Sequence, residues 1–146
     1  MTAFADTSAV VKLYADEPGS AAVRAHTVLV ASAVTRVEVV AALWRKQRIG
    51  DLSASDTRLL IDAFLAEWTA AVDGGPDYIP VQVGHAVLSS AVSLGGVHGL
   101  RAYDAVQLGS AVVARAADPT IDSFLAADQA LVRAAAAEGF DVPSVT

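Results

Sequence analysis

The sequence contains no cysteine among its 146 residues. Disulfides and thiolate metal sites are therefore excluded, and a cytosolic setting is the natural expectation. Long apolar runs are also missing, so no segment is expected to span a membrane. No signal peptide is expected either: Lys12 lies inside the first apolar run rather than before it. There is no GxxxxGK[ST] loop and no GxGxxG, so phosphate cradling by a glycine-rich backbone is unsupported. No histidine has a second at metal-ligand spacing. His26, His85 and His98 read as surface or packing residues, with His98 singled out only for its nearness to Arg101. Ser8 has no GxSxG setting and no nearby His, which argues against a nucleophilic serine. Positive charge is scarce too. The formal net charge is −6, which argues against a nonspecific polyanion binder. It leaves room for a nucleic-acid enzyme, because bound divalent cations reverse the sign of a local carboxylate cluster.

What is present suits a folded domain. Residues are 54% hydrophobic and 18% charged, enough for a real core. Length and the absence of linkers or repeats indicate one domain over residues 1–146. Short apolar strands are expected at 3–6, 27–32, 78–81 and within 120–127, with a further strand at "FDV". Helices are expected at 8–16, 20–26, over "TRVEVVAALWRKQRIG" up to its Gly50 stop, at 53–72, 84–95 and 101–117, and again over "QALVRAAAAEG". Pro18-Gly19 and Gly50 read as stops, and Gly95-Gly96 as a helix break. The alternation of strand and helix predicts an α/β domain with a small, mainly parallel sheet of four to five strands. The wide apolar face of 53–72 reads as core, or else as an oligomer surface.

Four acids draw attention: Asp6, Glu38, Asp104 and Asp128. Each has an ordinary explanation. Asp6 and Asp128 suit helix N-caps, Thr35-Arg36-Val37-Glu38 fits a capping box, and Asp104 suits the first turn of its helix. Taken together they say more. Asp6 and Asp128 follow predicted strands, and Glu38 opens the helix after another. In a parallel sheet those strand ends share one edge, where ligand sites lie. Carboxylates crowded there resist ionisation unless they share hard cations such as Mg²⁺ or Mn²⁺. The chemistry such ions suit is phosphodiester hydrolysis. Arg36, Arg45, Lys46 and Arg48 are set against the single acid Glu38. They read either as cations at a solvated helix end or as a phosphate-facing patch.

The segments "ADTSAVVKLY", "SAVTRVEVVAAL", "LRAYDAVQLGSA" and "FLAADQALVRAAAAEGFDV" resemble the PIN-domain ribonucleases, most closely the VapC toxins of toxin–antitoxin pairs. They span nearly the whole chain in family order. The resemblance implies a PIN-like fold and an Mg²⁺- or Mn²⁺-dependent endoribonuclease acting on RNA, often transfer or ribosomal RNA. It also implies a homodimer and a cognate antitoxin. It sets the metal-binding acids at Asp6, Glu38, Asp104 and Asp128, with the hydroxyl of Ser8 assisting. Lys12, Arg36 and Arg101 are the expected RNA contacts. Two features depart from the family pattern. Ala126 stands where a hydroxyl is usual, and "ADPTIDS" lengthens the segment before Asp128, which makes Asp122 a rival for the fourth acid. Asp128 is preferred, because "LAAD" leads into a helix. A different class of reading is a catalytically weak PIN-like module that acts by binding protein. A phosphatase with Asp6 as nucleophile is disfavoured, because "DTS" lacks the second acid of a DxD.

Overall fold

The computed structural model describes residues 1–146. Four strands form one parallel sheet: β1 (Thr2–Ala5), β2 (Val28–Ser32), β3 (Asp77–Val81) and β4 (Phe124–Leu125), in the order β3-β2-β1-β4. Seven helices connect and cover them: α1 (Thr7–Ala15), α2 (Ser20–Arg24), α3 (Thr35–Arg48), α4 (Ala54–Thr69), α5 (His85–His98), α6 (Ala102–Ala117) and α7 (Gln129–Ala137). The α/β class and the small parallel sheet are those expected, and the arrangement is consistent with a PIN-like fold. No helix is long and apolar enough to cross a membrane.

Strand periodicity sorts the core into two layers. Ala3, Ala5, Leu29 and Leu125 point to one face and pack with Val10, Val39, Leu43, Ile61 and Phe64 of α1, α3 and α4. Phe4, Val30 and Phe124 point to the other and pack with Leu108 and Ala111 of α6 and Leu131 and Ala135 of α7. Phe4 stacks on Phe124 at 5.3 Å between ring centroids. The helices after β1 and β4 thus lie on opposite faces. That makes the adjacent ends of β1 and β4 the switch point of the sheet, the edge at which ligand sites form in such folds.

Edge strand β3 contains Pro80. The Asp77 amide donates to the Thr27 carbonyl and the Val81 carbonyl accepts from Ala33. By alternation, Pro80 sets its missing N–H on the outward side, which blunts the edge against strand addition.

Three local expectations are corrected. Gly95-Gly96 does not break α5. The helix continues to His98 and stops at Gly99, in the left-handed region at φ 64°. Packing against α6 overrides the roughly 1 kcal/mol helix penalty of each glycine. The contact is close because Gly109 of α6 lacks a side chain: a Cβ there would lie 3.0 Å from the Val87 carbonyl oxygen. The "FDV" segment contributes only an isolated bridge, Ser123 to Asp141, rather than a fifth strand. Helix α4 ends at Thr69, short of Val72, and its Thr57, Ile61 and Phe64 are core residues.

Candidate active site at the sheet edge

Asp6 leaves β1 and caps α1. Its carboxylate accepts from the Ser8 amide at 3.1 Å and from the Ser8 hydroxyl at 2.6 Å. That hydroxyl in turn accepts from the Ala127 amide at 3.0 Å. Ser8 therefore ties the start of α1 to the turn after β4, across the switch point. Ala126, where a hydroxyl was expected, is buried in the second core layer instead.

Glu38 does not close a capping box. Val34 holds the N-cap position with no side-chain hydrogen bond, and Thr35 lies within α3, fully buried. Glu38 accepts from the Thr7 hydroxyl at 3.0 Å and from the Gln107 amide nitrogen at 2.9 Å. The same Gln107 nitrogen lies 3.0 Å from the Thr35 hydroxyl, which is why Thr35 faces inward. Gln107 was not anticipated. It is buried, one turn after Asp104 in α6, and its Oε1 has no partner. The signal was a lone amide inside the apolar run "DAVQLGSA".

Asp104 stands in the first turn of α6. Asp128 caps α7, accepting from the Leu131 amide at 2.9 Å. The exposed Arg101 guanidinium reaches both, at 3.5 Å from Asp104 and 3.8 Å from Asp128. Asp122 precedes β4 and so belongs to the opposite edge, exposed and beside Ser123.

The acids are electrically coupled. The Asp6 carboxyl is pushed up to about 6. Burial is the main cause, and the negative charges of Glu38 and Asp104 add to it, against the lowering effect of the Ser8 hydrogen bonds. The side chains as they stand do not form a finished cation cage, for no three acidic or histidine groups converge closely enough to share an ion. Each carboxylate is held by a protein donor. The donor set is nonetheless oxygen-rich and mutually repelling, the chemistry that suits a hard divalent ion.

Lys12 is corrected. It is 7% exposed and its ammonium donates to the Pro18 carbonyl at 2.8 Å, beside Glu17, so it does not face solvent phosphates. Arg36 is exposed but lies about 200° around α3 from Glu38. His98 pairs with Glu138 at 2.8 Å, tying α5 to α7. His26 is buried against the Ala22 carbonyl and His85 is exposed, both outside the site.

No family model matches the chain, and no curated protein matches it. Among solved structures, it is similar to the crystal structure of PAE2754 from Pyrobaculum aerophilum. That similarity has a TM-score of 0.60 and 18% identity, over 92% of this chain and 79% of that one. At that identity the likeness concerns the fold alone.

Proposed function

We propose that this chain is a PIN-type, VapC-like endoribonuclease that cleaves RNA phosphodiester bonds with Mg²⁺ or Mn²⁺. In this reading it acts in the cytoplasm as a homodimer and is restrained by a cognate antitoxin. The observation that carries the reading is Asp6: a carboxyl 6% exposed, pushed up to about 6, facing two further acids at the switch point. Capping accounts for Asp6 and Asp128 singly, but not for the gathering of Glu38 and Asp104 beside Asp6.

Asp6, Glu38, Asp104 and Asp128 would hold the ions. A bound divalent ion supplies electrostatic stabilisation for the charge that develops at phosphorus. The chain's own residues do the positioning. Ser8 fixes the Asp6 carboxylate, Thr7 and Gln107 fix Glu38, and Arg101 stands beside Asp104 and Asp128 as a partner for a phosphate.

Sequencing RNA ends after expression of wild type and Asp6→Asn tests this. Wild type should create defined new ends, and the variant should lose at least about 100-fold of that cleavage. Equal cleavage by the variant would overturn the assignment.

A second reading is a catalytically weak PIN-like module that acts by binding protein, and the wide spacing of the acids is compatible with it. Titration calorimetry with Mn²⁺ separates the two. The nuclease should bind Mn²⁺ through Asp6, whereas the module should show no carboxylate-dependent binding.

A further inference from the structure

A shallow groove of about 480 Å³ runs along α3. Glu38 closes one end, Ala41 and Ala42 form its floor, and Arg45 and Arg48 stand at the other end. The helical repeat explains the alignment. Residues 38, 42, 45 and 49 fall within about 60° of one another around the helix, and Arg48 lies about 60° beyond Arg45 on the flank of the same groove. From Glu38, Arg45 lies about 10 Å along the axis and Arg48 about 15 Å. The two alanines leave the space between open because a methyl group is too small to fill it.

The charge along this groove is unusual for the molecule. Acids outnumber Lys and Arg by 16 to 10. Lys46 is neutralised by Glu17, whereas Arg45 and Arg48 are exposed and have no carboxylate partner. The helix dipole accounts for cations in the last turn of α3. It does not account for Arg45 standing in line with Glu38, or for Arg48 standing one turn further along the same groove.

We infer that this groove carries the backbone of single-stranded RNA to the acidic edge, with Arg45 and Arg48 on its phosphates. This rests on the ribonuclease reading above and moves the phosphate contact expected of Lys12 onto these two arginines. A single row of guanidiniums, one turn apart on one helix, suits one sugar-phosphate strand rather than the two strands of a duplex.

The test is the salt dependence of binding to a 2′-O-methyl single-stranded RNA of about 12 nucleotides, in Mg²⁺ buffer. Wild type is compared with Arg45→Ala/Arg48→Ala and with Arg58→Ala/Arg133→Ala. The second pair is also exposed, lies on α4 and α7, and changes net charge equally. Two lost phosphate contacts should flatten the slope of log K against log salt by about 1.4 in the first variant only. An unchanged slope there, or equal flattening in both variants, would overturn the groove while wild-type RNA cleavage still stood. No RNA binding or cleavage by wild type would overturn the groove together with the reading beneath it.

Discussion

Helix α1 joins two buried polar clusters of opposite character. At its start, Asp6 faces Glu38 and Asp104, and its carboxyl resists ionisation. About 12 Å further along the helix, Tyr14 donates to Glu67 and shares a hydrogen bond of 2.8 Å with Tyr78. Here one carboxylate meets two phenols. Burial pushes both phenols above the ordinary tyrosine range, with Glu67 adding to the effect, so both stay neutral donors. Phe64 and Trp68 complete an aromatic cluster around them. The tyrosine cluster satisfies its polar atoms and contributes to the core. The acidic edge caps two helices, yet it also crowds like charges that make the ionisation of Asp6 costly. A polar group kept at a cost to stability points to function, and one that is fully partnered points to architecture.

The largest effect is expected from breaking the architectural cluster. Tyr14→Ala removes a buried ring that touches Phe64 and reaches Tyr78. It should cost about 3–5 kcal/mol and lower Tm by roughly 10 °C. Thermal melts check the first claim. RNA cleavage measured well below Tm should be unchanged, and a selective loss of cleavage would erase the distinction between the clusters.

Asp6→Asn should act in the opposite direction on stability. The folded carboxyl titrates near 6, above its ordinary 3.8, so the folded state binds the proton more tightly than the unfolded state. Its ionisation therefore costs nothing below about pH 4, a growing amount between 4 and 6, and the full amount above 6. That full amount is about 3 kcal/mol. The amide returns about 1 kcal/mol through the weakened Ser8 hydrogen bond. The variant should thus be about 2 kcal/mol more stable than metal-free wild type at pH 7.5, a gain of roughly 4–8 °C in Tm. The two should converge at pH 4. Mn²⁺ should raise the Tm of wild type and leave the variant unmoved. A variant less stable than wild type at every pH would make Asp6 a structural cap and nothing more.

The parts of this comparison were unequally legible in the sequence. Apolar strand–helix alternation carried the layers and the sheet, because burial imposes those periods directly. Asp6 and Asp128 were legible as residues after strands, and both proved to be caps as well as edge acids. Side-chain direction was less legible. Thr35 and Glu38 match a capping box in spacing, yet the buried Gln107 amide offers both a partner across the core. Lys12 looked free because its partner, the Pro18 carbonyl, is set by how the turn after α1 folds back. Gln107 itself carried no motif. Its importance comes from contacts 69 to 100 residues away in sequence, which no local pattern records.

Gln107 offers a smaller test, aimed at the acidic edge alone. Gln107→Leu keeps the volume of the side chain but removes the donor that holds Glu38. Calorimetric affinity for Mn²⁺ should fall about 10- to 100-fold, while stability changes by less than about 2 kcal/mol. Unchanged affinity would mean that the Thr7 hydroxyl alone orients Glu38.

Arg101 should give the smallest effect and the sharpest sign. Its guanidinium is 84% exposed and spans Asp104 and Asp128 at 3.5 and 3.8 Å. Pairs this exposed contribute less than about 1 kcal/mol, so Arg101→Ala should melt within a few degrees of wild type. In the metal-dependent reading the guanidinium competes with a divalent ion for the same two carboxylates. Its removal should therefore tighten Mn²⁺ binding by up to about five-fold at low salt, and the gain should shrink as ionic strength rises. Weaker binding of RNA by the same variant would show that the side chain exchanges its carboxylates for a phosphate. Weaker binding of Mn²⁺ would reverse its role, making Arg101 the clamp that holds Asp104 and Asp128 in place rather than a stand-in for the ion.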